Sequence, residues 1–137
     1  IVGDLHQPMH VGNGTDRGGN DERVMFFGKS TNLHSIWDSA LIDGQNLSFT
    51  EYAARLDRRI TPQLTIAWWD PNPLTWIAES AKARAAAYPN ASEGATPNLG
   101  YSYQFEQLPT VELRLEQGGV RLAAYLDSIW QSDTRWN

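Results

Sequence analysis

The sequence predicts a mainly α-helical fold, and three stretches carry that prediction. In NLHSIWDSALI, residues 32 to 42, Leu33, Ile36, Trp37, Ala40 and Leu41 recur at i, i+3, i+4, i+7 and i+8, the stripe of an amphipathic helix facing a core. Ser48 with Glu51 three residues on is a capping-box pattern that opens a helix expected to run to about Gln63, with Pro62 ending it early. From about Tyr101 to Trp130 the helical period returns, and Val111, Leu115, Val120, Leu122, Ala123, Leu126, Ile129 and Trp130 form the side expected to be buried.

Taken in order, the chain opens on GDLHQPMHVGN, residues 3 to 13, a helical start interrupted by Pro8. The proline ring meets the carbonyl four residues back, that of Asp4, and offers no amide hydrogen, so the helix ends or kinks there. Asp4 then sits in the last turn and His10 beyond it, and the two need not serve the same ion. NGTDRGGND is rich in turn formers and leads to VMFFG, residues 24 to 28, a strand-like hairpin or loop. In the helix after Ser48, Tyr52, Leu56, Arg59 and Ile60 make a mixed face, while Arg55, Asp57 and Arg58 read as solvated. Trp68, Trp69 and Trp76 flank DPNP and are assigned to the core rather than to base stacking. An alanine-rich helix from about Leu74 to Ala87 stops at Tyr88-Pro89. NASEGATPNLG is a polar connector; Pro109 is placed near a helix start, and Gly118-Gly119 marks a kink or a close contact.

Chemistry concentrates in two of these segments. All three histidines, His6, His10 and His34, fall within them. His34 and Asp38 lie four apart on one helix face, roughly 5–6 Å between Cβ atoms, so one ion can reach both. Together with His10 they make two imidazoles and one carboxylate, the ligand set of a zinc site that keeps a position for water or substrate. A helix-surface ion pair between His34 and Asp38 is the plainer alternative. His6 follows Asp4 by two residues, faces another way on a helix and reads either as structural or as a support behind the metal ligands.

The 137 residues, 41% hydrophobic and 20% charged, fit one domain with a real core. A net charge of −5 is opposite to the basic footprint of most nucleic-acid binders, so metal ions would have to hold any phosphate. Arg17 and Lys29 read as solvated surface charges. The absence of cysteine excludes disulfides and thiolate metal sites, and no apolar run approaches the roughly 18–20 residues of a membrane span.

GDLHQPMHVGN, DRGGND and NLHSIWDSALI in this order resemble the zinc-dependent single-strand nucleases of the S1/P1 type, and the resemblance continues weakly to PTVELRLEQGGVRLAAYL. It implies the helical zinc-enzyme fold shared with phospholipase C. It also implies that His10, His34 and Asp38 are the complete ligand set of one zinc. Asp4 would be the catalytic carboxylate bridging two further zincs, three in all in the complete enzyme. Asn20 matches a nucleobase contact, with Gly18 and Gly19 allowing close backbone approach. The family also expects a histidine four residues before Asp4, and Ile1 comes too late to supply it. Residues 1–137 are therefore expected to be the C-terminal part of a nuclease domain, with an N-terminal half of the same protein as partner. The implied activity is hydrolysis of single-stranded DNA and RNA to 5′-phosphate products, with 3′-nucleotides also cleaved, in a secreted or periplasmic protein. A phospholipase C-like phosphodiesterase and a non-catalytic zinc-binding helical module are the alternatives.

Overall fold

The computed structural model describes residues 1–90, 92 and 94–131. Helices dominate it, as the periodicity predicts. The first, α1 (Val2–His6), ends at Gln7, and a single 3-10 turn, Pro8–His10, follows. Pro8 heads that turn, where its missing amide costs nothing, and the Gln7 side-chain oxygen accepts from the Met9 amide.

Strands β1 (Arg23–Phe26) and β2 (Lys29–Asn32) form an antiparallel hairpin in register Arg23 to Asn32 and Phe26 to Lys29. Its two-residue turn, Phe27-Gly28, has φ of 47° and 76°. Both values being positive matches the twist of a tight hairpin. A third strand, β3 (Asn98–Leu99), pairs parallel to β1 and gives the order β2-β1-β3. This strand lies in the stretch expected to be connector only; Ala91 and Glu93 of that stretch lie outside the described residues.

Strand β2 runs straight into the helix that carries His34 and Asp38. It begins as α2 (Leu33–Ser35), widens into a π-helical stretch (Ile36–Ala40) and closes as α3 (Leu41–Asp43). Asn32 caps it, its side chain accepting from the Ser35 amide at 2.8 Å. Leu33, Ile36, Trp37 and Leu41 are buried as predicted, at about 1.5–3 kcal/mol for each large apolar side chain removed from water. They join Met9, Val24, Ala87, Leu99, Tyr103 and Val111 in one core.

The remaining helices are α4 (Phe49–Asp57), α5 (Pro62–Trp68), α6 (Pro73–Ala87) and the long α7 (Tyr101–Gln131). The Ser48–Glu51 capping box is present, but Pro62 begins a helix rather than ending one. At that first position proline has no hydrogen bond to lose, and Thr61 caps the turn. Pro109 stands inside α7, not near its start. Trp76 is buried as expected, whereas Trp69, where the chain leaves α5, is 45% exposed. Arg55 is not merely solvated: its guanidinium donates to Glu112 at 2.8 Å.

The largest difference concerns α7. Val111 and Val120 are buried, but Leu115, Leu122, Ala123, Leu126, Ile129 and Trp130 are exposed. The inward side instead carries Arg114, Gln117, Gly118, Arg121 and Ala124. These polar groups are tolerated because they are bonded. Arg114 donates to the Trp76 carbonyl and to Glu79, Ser80 and Gln117, and Arg121 donates to both oxygens of Glu79. Gly118 makes the expected close contact: a Cβ there would meet the His6 ring at 3.5 Å.

Candidate metal centre

Helix α1, the Pro8 turn and the helix through Asp38 bring three predicted side chains together. His10 Nε2 lies 2.9 Å from one Asp38 oxygen, and His34 Nε2 lies 3.1 Å from the other. The two imidazoles stack with centroids 5.1 Å apart. One ligand atom from each of the three residues falls within 4.8 Å of the others, a grouping of donors that could hold one metal ion.

The supporting contacts fix which atoms face the cluster. His34 Nδ1 donates to the Gly18 carbonyl at 2.9 Å, leaving Nε2 free to face Asp38. His10 Nδ1 lies 2.7 Å from Asp4 Oδ1. Asp4 and His10 thus touch through one ring nitrogen while the other serves the cluster, closer than their separation across Pro8 suggests. Gln7 reaches Asp38 through its amide at 2.7 Å. Partial burial works to raise the Asp38 pKa, but Gln7 and the His34 and His10 rings outweigh it and hold the carboxyl below its ordinary range.

A cleft of about 670 Å³ opens beside the cluster, lined by Asp4, Met9, His10, Gly12, Gly14, Arg17, Gly18 and His34. Gly18, at φ +67°, forms its wall because a Cβ there would lie 2.3 Å from the Met9 carbonyl oxygen. Gly19, at φ +83°, lies against Met9, Leu33 and the His34 amide, and is buried. Asn20 does not line this cleft; its amide donates to the Arg17 carbonyl at 2.9 Å. A second cleft of about 770 Å³, lined by Leu47, Phe49, Tyr52, Ile60 and Leu115 among others, lies apart from the ligand cluster.

His6 is structural. It is 2% exposed, its Nδ1 donates to the Val2 carbonyl and its Nε2 accepts from Arg121. Burial, against the help of the Val2 bond, lowers its pKa to about 4, so the neutral ring matches both contacts. Gln7 escaped the sequence reading, although a polar residue directly before Pro8 is the cap position of a proline-headed turn. Asp16, bonded to Tyr88 72 residues away, offered no local signal.

Comparison with known proteins adds to this geometry. The family model for S1/P1 nuclease matches residues 1–131. The chain is 38% identical to "Endonuclease 4" of Arabidopsis thaliana over 96% of its own length and 48% of that protein. It is 31% identical to "Nuclease S1" of Aspergillus oryzae (strain ATCC 42149 / RIB 40), covering 94% and 51%, and 32% identical to "Nuclease P1" of Penicillium citrinum, covering 97% and 56%. The chain spans about half the length of the curated relatives it matches.

Proposed function

The chain belongs to the S1/P1 nuclease family, and from that premise we propose that it carries one zinc-binding arm of a nuclease acting on single-stranded DNA and RNA. In this reading the complete enzyme hydrolyses phosphodiester bonds to 5′-phosphate products and also acts on 3′-nucleotides. The observation that carries the proposal is the convergence of His10, His34 and Asp38 beside an open cleft.

The donor set fits zinc: two imidazoles, each with its outer nitrogen hydrogen-bonded, and a carboxylate kept ionised by its surroundings. When bound, zinc supplies Lewis-acid polarisation of a phosphoryl oxygen and a more acidic water. The chain's own groups supply orientation. Gln7 and the two imidazoles fix the Asp38 carboxylate, the Gly18 carbonyl fixes His34, and Asp4 fixes His10. Asp4 lines the cleft with 61% of its side chain exposed, which suits the proposed role of a carboxylate bridging two further zinc ions. Asn20 and the turn of Gly18 and Gly19 are assigned to the nucleobase, and the need for an unpaired base to reach them gives single-strand preference. Secretion, to the periplasm or outside the cell, belongs to the same proposal, and cell fractionation decides it. A non-catalytic zinc-binding module is the second reading, favoured because one three-residue ligand group is found among the described residues.

Zinc content and single-stranded DNA cleavage, measured on this chain and on a version extended to the length of the relatives, test the proposal. We expect one zinc on this chain, none after His34→Ala, and cleavage by the extended protein. Asn20→Ala in the extended protein is expected to raise KM for nucleic acid without lowering zinc content. Unchanged zinc stoichiometry in His34→Ala removes the ligand assignment; an extended protein that binds zinc and cleaves nothing leaves the module.

A further inference from the structure

Behind His34 a line of contacts leads away from the ligand cluster. The Gly18 carbonyl accepts from His34 Nδ1 at 2.9 Å, so the placement of one backbone oxygen sets the tautomer and direction of the ring. That oxygen belongs to a turn-rich loop, residues 12–21, with two side-chain ties to the C-terminal end of α6, one from Arg84 within it and one from Tyr88 that caps it. Arg84 donates to the Val11 carbonyl at the loop's entry, and the Tyr88 hydroxyl donates to Asp16 Oδ2 at 2.5 Å in its middle.

Asp16 opens the turn: its backbone carbonyl accepts from the Asp21 amide at 3.1 Å, and its carboxylate, with Oδ1 buried and unpartnered among the described residues, is tied down through Oδ2 by Tyr88. Burial favours its protonated form, but the Tyr88 hydroxyl and the amides of Gly19, Asp16 and Gly18 outweigh this and hold it below its ordinary range. Tyr88 is pushed up to about 12 by burial and by Asp16, and so remains a donor. The same end of α6 also steadies the ligand-bearing helix. The Tyr103 hydroxyl donates to the Ala87 carbonyl at 2.6 Å and accepts from Trp37 Nε1 at 2.8 Å. One anchor point therefore reaches both the carbonyl behind His34 and the helix beneath it.

We propose that Asp16 and Tyr88 are positioning residues for His34, holding the Gly18 carbonyl against Nδ1 so that Nε2 faces Asp38 and His10. The inference rests on reading the cluster as a metal site. Neither residue lines the cleft or touches the cluster; both act through the turn of residues 16–19. A pair that merely pinned the loop would contribute stability and leave the ring's tautomer alone.

The full chain and its Tyr88→Phe, Asp16→Ala and Asp16→Asn variants separate these roles. Three quantities are read: the His34 imidazole nitrogen shifts by NMR in metal-free protein, zinc affinity by competition with a chromophoric chelator, and Tm. Tyr88→Phe removes one oxygen and keeps the packed ring, so folding is retained. We expect mixed His34 tautomers in Tyr88→Phe and Asp16→Ala and zinc binding weakened about tenfold, the lower end for residues that orient a ligand. Asp16→Asn, which keeps an acceptor for Tyr88, is expected to recover most of the affinity. Wild-type nitrogen shifts and zinc affinity in both Tyr88→Phe and Asp16→Ala would overturn the proposal, even with a lowered Tm. If the wild-type chain takes up no zinc, the metal reading fails, while the metal-free shifts still decide whether the pair orients the ring.

Discussion

At Gly18 the wall of the cleft tolerates no side chain. A Cβ would sit 2.3 Å from the Met9 carbonyl oxygen, a backbone atom that cannot swing aside, and φ of +67° is itself strained for any other residue. Gly18→Ala is therefore expected to destabilise the chain by about 2–4 kcal/mol, read from denaturant unfolding; a loss below about 0.5 kcal/mol would show that the loop moves freely and that the wall is not built this way. Gly19→Ala should cost less, since its nearest neighbour is the flexible end of Met9 at 3.0 Å. The pairing of His34 with Asp38 was legible because helical spacing fixes it. The meeting of Asp4 with His10 was not, because the turn at Pro8 folds the chain back in a way that no period records. The glycines were legible as turn residues, but what they approach, Met9 and the His34 segment, depends on a contact between distant loops.

The inward side of α7 joins α1 and α6 through charged groups. Arg114 donates to the His6 carbonyl, and Ser80 to the Leu5 carbonyl, so the last carbonyls of α1 are bonded by α7 and α6. Glu79 balances Arg114 and Arg121, which are 5% and 3% exposed. Replacing it by Gln leaves two buried cations without a counter-charge. The expected cost is about 2–3 kcal/mol, below the 3–5 typical of a broken buried pair because Glu79 itself is 37% exposed. The Arg121 bond, against the opposing effect of burial and with help from Arg114, lowers the Glu79 pKa from 4.5 to about 2. Its contribution is thus fully present above about pH 4.5 and lost as pH falls toward 2. Thermal denaturation across that window should show a steeper acid loss in the wild type than in Glu79→Gln; parallel curves would remove Glu79 from the balance. This stripe escaped the sequence reading because periodicity counts apolar residues, and here bonded arginines occupy the inward positions while Leu115, Leu122 and Leu126 face out.

Over the whole molecule, that outward row leaves an apolar surface. Leu122 and Leu126 are 44% and 41% exposed, with Trp130 one further turn along at 69%. Such a surface in water favours association, so the chain is expected to self-associate as its concentration rises, and Leu122→Gln with Leu126→Gln to reduce this with little change in Tm. Sedimentation of both proteins checks it, and a wild-type chain that stays monomeric throughout refutes it. The mainly helical class was legible because it needs only local periods; β3 was not, since two residues pairing with a strand more than seventy positions earlier have no pattern of their own. The placement of the anchors has a consequence in time. Every ligand of the cluster lies within the first 38 residues, yet what steadies them lies far along the chain. Ser80 reaches back 75 positions to Leu5, Tyr88 reaches 72 to Asp16 and Arg114 reaches 108 to His6. Contacts of such sequence separation close late, because their loop entropy is lost before they return any energy. The proposed ion site is thus expected to take shape late, and on refolding the capacity to capture zinc should arise with the docking of α7 rather than with the first helices.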